Sequence, residues 1–235
     1  MKKTIFRKRY GVKLAAVLCT VVIFLTGCTP ASTIEGKPID VDGAGYYKNL
    51  LHADFWGYAF HFQDDIKGQL MTQEVWQDGE CIDINVLWHG GVDTDISREY
   101  YLAAFQMRDE ENRHIGQELQ GMTSRENSEQ AVHATLAPVQ NVFPMPTASY
   151  GYYFVEDTLK VEANGTYILA LWDYEQDTKG FKSLDLDKMH NTDYTEQLKD
   201  HDYVILLKLQ LFDTEEAALK RYQDAAVNVL TMPSE

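Results

Sequence analysis

Asn164-Gly165-Thr166-Tyr167-Ile168-Leu169-Ala170-Leu171-Trp172 couples a tight-turn signal to an unbroken apolar run. An Asn-Gly pair favours the tight turn in which both central residues take positive φ, and such turns join antiparallel strands. Residues 167–172 are apolar at every position rather than at every second one, so the strand they form has both faces covered and lies centrally. With 158–162 before the turn, the spacing predicts a hairpin whose second strand runs over 167–174.

The same period-two signal recurs on both sides of this stretch. Residues 203–212 put Tyr203, Ile205, Leu207, Leu209 and Leu211 on one face, while the other turns polar at Lys208 and Gln210. That predicts a half-buried strand. The chain then enters Asp213-Thr214-Glu215-Glu216, where Asp213 is placed to cap free amides and Glu216 to close a capping box, opening a helix over 214–231. Its apolar positions, Ala218, Leu219, Tyr222, Ala225, Ala226, Val229 and Leu230, fall at helical spacing and predict a stripe packed on a sheet.

Upstream, 56–62 alternates Trp56, Tyr58, Phe60 and Phe62 with Gly57, Ala59 and His61, a strand with a heavy core face. Residues 69–76 and 81–88 flank Asp78-Gly79, a second hairpin signal, with Ile82, Ile84, Val86 and Trp88 expected on one side. Residues 100–107 read as a strand and 113–116 as a short return strand, and the polar stretch 117–130 reads as loop. A modest strand over 131–137 is expected to stop at Pro138. Two long connections follow, 137–157 with Pro144 and Pro146, and 175–202 with eight acids.

Strands that follow strands predict a mostly β fold. Asn164-Gly165-Thr166-Tyr167 followed by Leu169 resembles the tyrosine corner of immunoglobulin-like sandwiches, with Leu169 where a disulfide cysteine often stands. The resemblance implies an immunoglobulin-like antiparallel β-sandwich. With the C-terminal α-helix packed on it, this single domain is expected to fill 46–235.

The N-terminus carries a different signal. Residues 1–13 hold Lys2, Lys3, Arg7, Lys8, Arg9 and Lys13 and no acid, and 14–25 is apolar apart from Cys19 and Thr20. Twelve residues rise only about 18 Å as a helix, short of the roughly 30 Å of a bilayer core, so a removable signal fits better than a permanent span. Leu25-Thr26-Gly27-Cys28 resembles the lipobox of bacterial lipoproteins. The resemblance implies cleavage before Cys28, a diacylglyceryl group on its thiol, and residence on the extracytoplasmic face of a bacterial cell membrane. Dual acylation gives stable attachment where one chain gives only marginal binding. Residues 28–45, with Pro30, Gly36, Pro38, Gly43 and Gly45, read as a flexible tether.

Removing 1–27 takes six of the 21 basic residues and none of the 36 acids, so the net charge falls from −15 to −21. A chain so acidic repels nucleic acid and anionic lipid. Of its three cysteines, Cys19 leaves with the leader and Cys28 is the lipid site. Cys81 then has no intrachain partner and reads as a small buried side chain on a strand.

No motif for chemistry emerges. The seven histidines are scattered, with no metalloprotease pair, nucleophile elbow or Gly-rich phosphate loop. The sequence therefore predicts no catalytic residue, no cofactor and no metal site, including no tight calcium site in 175–202. It points to an accessory or binding module for an envelope protein, a glycan or a larger complex, with a hydrolase acting on envelope polymer or peptide as the alternative. The bulky apolar residues of the two long connections, Phe143, Tyr150, Tyr152, Tyr153 and Phe181, are the candidate recognition residues, because aromatic anchors dominate interface energetics. Strand parity places both connections at one end of the sandwich, opposite the Asn164-Gly165 turn.

Overall fold

The computed structural model describes residues 31–37, 39, 52–94, 97–126, 131–176 and 184–231. Among the described residues eleven strands form two antiparallel sheets: β1 (Ser32–Lys37), β2 (Ala53–His61), β3 (Gly68–Gln77), β4 (Glu80–Gly91), β5 (Ser97–Arg108), β6 (His114–Glu126), β7 (Ala131–Thr147), β8 (Ser149–Phe154), β9 (Thr158–Val161), β10 (Thr166–Glu175) and β11 (Tyr203–Phe212). One sheet has the order β7-β6-β5-β2-β1-β9 and the other β4-β3-β11-β10-β8. They pack face to face as a sandwich, and helix α2 (Glu215–Thr231), which follows the one-turn helix α1 (Thr195–Leu198), lies on β4 and β3.

The core between the sheets is built by the expected alternation. Trp56, Tyr58, Phe60 and Phe62 all enter it, opposite Tyr167, Trp172, Tyr203, Ile205, Leu207, Leu209 and Leu211. The Trp56 ring stacks on Phe154 at 4.5 Å and tilts against Trp172 at 5.0 Å. Fully burying one such side chain is worth roughly 1.5–3 kcal/mol. The opposite face of β10 and β11 is also covered. Ile168, Leu171, Val204 and Leu206 pack under Leu184, Met189, Tyr194 and Leu198 from the short helical segments before β11. Residues 167–172 are apolar on both faces because their sheet is a middle layer, with the second sheet on one side and a helical cover on the other.

Several expectations change. Residues 28–45 are not tether throughout, because Ser32–Lys37 is strand β1, hydrogen-bonded between β2 and β9. Its inward positions are Ser32, Ile34 and Gly36, a single bulky side chain among small ones, and that hid the strand. Gly36 is required there, since a Cβ would lie 2.0 Å from the Val155 carbonyl oxygen. Residues 40–45 and the leader lie outside the described residues.

The Asn164-Gly165 turn joins two sheets rather than two neighbouring strands. β9 pairs with β1 in the six-stranded sheet, whereas β10 pairs with β11 and β8. Asn164 takes φ 63° and the Tyr167 hydroxyl accepts the Glu162 amide at 2.9 Å, which is the geometry of a tyrosine corner. The Asp78-Gly79 hairpin forms as expected, with φ 50° and 80°. Irregular register at Leu87 moves Ile84 and Val86, opposite Glu74 and Thr72, to the face away from Trp88, which pairs with Met71.

The polar stretch 117–126 is strand, not loop, and its inward-facing Gln117 is satisfied inside the sandwich by side chains of other strands. Gln73 Nε2 donates to Gln117 Oε1, Gln117 Nε2 to the Tyr174 hydroxyl, and that hydroxyl to Gln106 Oε1. Nor does Pro138 stop β7. Pro138, Pro144 and Pro146 sit on an edge strand with shifted register, where a missing amide costs no ladder bond. The span 137–157 is thus the end of β7 and all of β8 rather than a connection, and the parity argument built on it fails. At α2 the cap is Thr214, whose hydroxyl accepts the Ala217 amide at 3.2 Å, one residue after the expected Asp213.

Candidate functional site

β8 brings the candidate residues to the edge of the five-stranded sheet. Its run Tyr150-Gly151-Tyr152-Tyr153-Phe154 suits a strand because aromatic side chains fit a pleated, half-covered surface. Register places Tyr150 and Tyr152 opposite Tyr174 and Trp172, on the core side, and Tyr153 opposite Leu171, on the covered outer side. Tyr150 is held there, its ring stacked on Tyr174 at 5.7 Å and edge-on to His114 at 4.6 Å. Tyr152 is 40% exposed and leans on Phe154 at 5.1 Å.

Around this edge lies a cleft of about 750 Å³ lined by Tyr152, Tyr153 and Phe154, by 155–159, and by Leu184, Asp185, Leu186, Asp187 and His190. Its lining mixes aromatic and aliphatic side chains with the exposed carboxylates of Glu156, Asp157, Asp185 and Asp187, which form its rim. Lys188 hydrogen-bonds Asp185 at 2.8 Å, which holds that carboxyl below its ordinary range. His190 Nδ1 accepts the Ile168 amide at 3.2 Å, so the neutral ring carries its proton on Nε2, which has no hydrogen-bond partner among the described residues. Burial pushes the His190 pKa down and keeps the ring neutral.

The cleft unites Tyr152 and Tyr153 but not the other candidates. Phe143 is 5% exposed and stacks on Tyr203 at 4.9 Å inside the core, so it is not available to a partner. Phe181 and Cys28 lie outside the described residues.

No protein-family model, curated protein or solved structure matches this chain.

Two further groupings were not read from the sequence. On the outer face of the middle sheet, Lys208 is paired with Glu74, whose other oxygen accepts from the Tyr194 hydroxyl at 3.0 Å and Trp76 Nε1 at 3.1 Å. A groove of about 570 Å³ runs beside them and is also lined by Cys81. Burial, then the Glu74 charge, pushes the Cys81 thiol up to about 12, so it is protonated and inert at neutral pH. The second grouping is Asp173, Glu175 and His201, with His201 Nδ1 2.9 Å from Asp173 Oδ2 and 3.3 Å from Glu175 Oε1. Asp173 was the one signal in the sequence for this group: an acid between Trp172 and Tyr174 in a central strand needs a partner.

Proposed function

We propose that this chain is a lipid-anchored binding module on the extracytoplasmic face of a bacterial cell membrane, and that the cleft beside β8 takes a basic segment of a neighbouring envelope protein. The anchor rests on the Leu25-Thr26-Gly27-Cys28 lipobox. The observation that carries the binding reading is the combination in one cleft of an exposed Tyr152, further aromatic side chains and four rim carboxylates, of which, among the described residues, only Asp185 is paired with a lysine within the cleft's own segments. A lysine or arginine side chain satisfies both parts, its charge meeting the rim and its head lying on the tyrosine face. The acidic balance of the whole chain steers such a partner towards it.

Binding is favoured over hydrolysis by the position of the acid and histidine side chains. The grouping of carboxylates with histidine, Asp173-Glu175-His201, has its histidine 3% exposed, beneath the surface that a polymer chain would touch.

A photo-reactive phenylalanine at Tyr152 tests this in cells, with one at the exposed Gln120 on the six-stranded sheet as control. The Tyr152 position should give a discrete adduct whose cross-linked peptide is rich in lysine or arginine. The yield should fall in roughly 0.5 M salt, where screening shortens to a few ångströms. Adducts equal to those at Gln120 would reject the cleft as the binding surface. A neutral, salt-insensitive adduct or a glycan adduct would reject the basic partner.

A further inference from the structure

Asp173 and Glu175 are two residues apart on β10, so both project from the face opposite Trp172 and Tyr174, which enter the core. His201 approaches the same point from the turn before β11, where its amide donates to the Leu198 carbonyl at 3.2 Å. Asp173 is 0% and His201 3% exposed, and one side of Glu175 remains open to solvent. A third carboxylate, Asp202, stands beside Glu175, with Oδ2 accepting the Gln176 amide at 2.7 Å.

Asp173 is fully buried and Glu175 and Asp202 are half-buried beside one histidine, which crowds carboxylate charge at this point. Such charge is costly unless a cation is supplied. A second observation points the same way. Asp173 Oδ1, buried on the same carboxylate whose Oδ2 meets His201, has no hydrogen-bond partner among the described residues. The spacing also suits coordination. The three ligand atoms lie within 4.8 Å of one another, with contacts of 2.9 and 3.3 Å at His201 Nδ1. Ligands bound at about 2.0–2.2 Å to a single ion stand roughly 3.0–3.4 Å apart when adjacent.

We propose that Asp173, Glu175 and His201 form a structural site for a divalent first-row transition ion, with Zn²⁺ the best match to one imidazole nitrogen and two carboxylate oxygens. Calcium is disfavoured, because it prefers six to eight oxygens and no nitrogen. The ion ties the end of β10 to the turn that enters β11. It thereby cross-links a domain whose described residues include one free cysteine and no disulfide.

The test uses the full chain in detergent, stripped with chelator and dialysed against ZnCl₂, with metal content read by mass spectrometry and affinity by calorimetry. One equivalent of zinc should be retained with a dissociation constant below about 1 μM, and calcium should not compete at millimolar concentration. Glu175→Gln, at the open side of the site, should weaken binding at least tenfold while the chain stays folded by circular dichroism. His201→Gln should abolish it. Zinc should raise the wild-type melting temperature and leave that of Glu175→Gln nearly unchanged. Zinc bound equally by wild type and Glu175→Gln, or a wild-type constant weaker than about 100 μM, would overturn the site whatever the fate of His201→Gln.

Discussion

At the scale of single residues, Tyr167 holds the crossover between the sheets. Its hydroxyl accepts the Glu162 amide, and Gly165 lies so close that a Cβ there would fall 2.4 Å from that oxygen. Tyr167→Phe should cost about 1 kcal/mol by urea denaturation, the usual worth of such a bond, and Gly165→Ala should cost more because the ring must move. Equal stability of Tyr167→Phe and wild type would show the corner to be incidental. His114 carries a pH dependence. Burial first, then the charges of Arg108 and His52, push its pKa down to about 4. The unfolded ring takes a proton near pH 6.5 that the folded ring refuses, so the stability it supports is complete above pH 6.5 and is lost as pH falls towards 4. His114→Phe removes the titration and keeps an aromatic ring against Tyr150 and Tyr174. Its urea midpoint should fall less steeply over that window, and identical slopes would contradict the assignment. Tyr167 was legible because a turn, a glycine and a tyrosine sit together in sequence. The Asp173–His201 contact joins residues 28 apart, so nothing local announces it.

At the scale of elements, β1 is the strand the sequence concealed. Alternation is visible only when inward positions are bulky, and β1 alternates Ser32, Ile34 and Gly36. β2, β3, β10 and β11 were legible for the opposite reason. β6 and β7 were hidden by an inward-facing polar network and by prolines on an edge, both of which imitate loop composition. Gly36→Ala places a Cβ against the Val155 carbonyl and should cost roughly 1–3 kcal/mol, read as a lower denaturant midpoint. A chain beginning at residue 39 should aggregate, since β9 loses its partner and β2, still paired with β5, exposes its other edge; a soluble, folded product would remove β1 from the fold. On the outer face, Lys208→Met leaves the 3%-exposed Glu74 without its cation and should cost about 3 kcal/mol. Adding Glu74→Gln removes the stranded charge, retains an acceptor for Tyr194 and Trp76, and should restore part of the loss. No restoration would mean that the pair acts by packing alone.

At the scale of the whole molecule, the mostly β sandwich with its C-terminal helix was legible in the sequence because strand period, turn chemistry and the helix cap region agree. The cleft was legible only in part. Tyr152 and Tyr153 were identified by type, but the fold assigns Phe143 to the core, and the rim comes from segments distant in sequence. Among the described residues no helix is long and apolar enough to cross a membrane. In the proposed reading attachment falls to the lipid on Cys28, as the Leu25-Thr26-Gly27-Cys28 motif implies, and the cleft is useful to an envelope partner only if that tether exists. The most direct measurement is the intact mass of the protein extracted from membranes of a bacterium that processes lipoproteins. The expected result is loss of residues 1–27 and the added mass of acyl chains on a chain beginning at Cys28, with both changes absent in Cys28→Ala. A membrane-extracted wild-type chain whose Cys28 carries no lipid, or a Cys28→Ala chain with the same added mass, would contradict it.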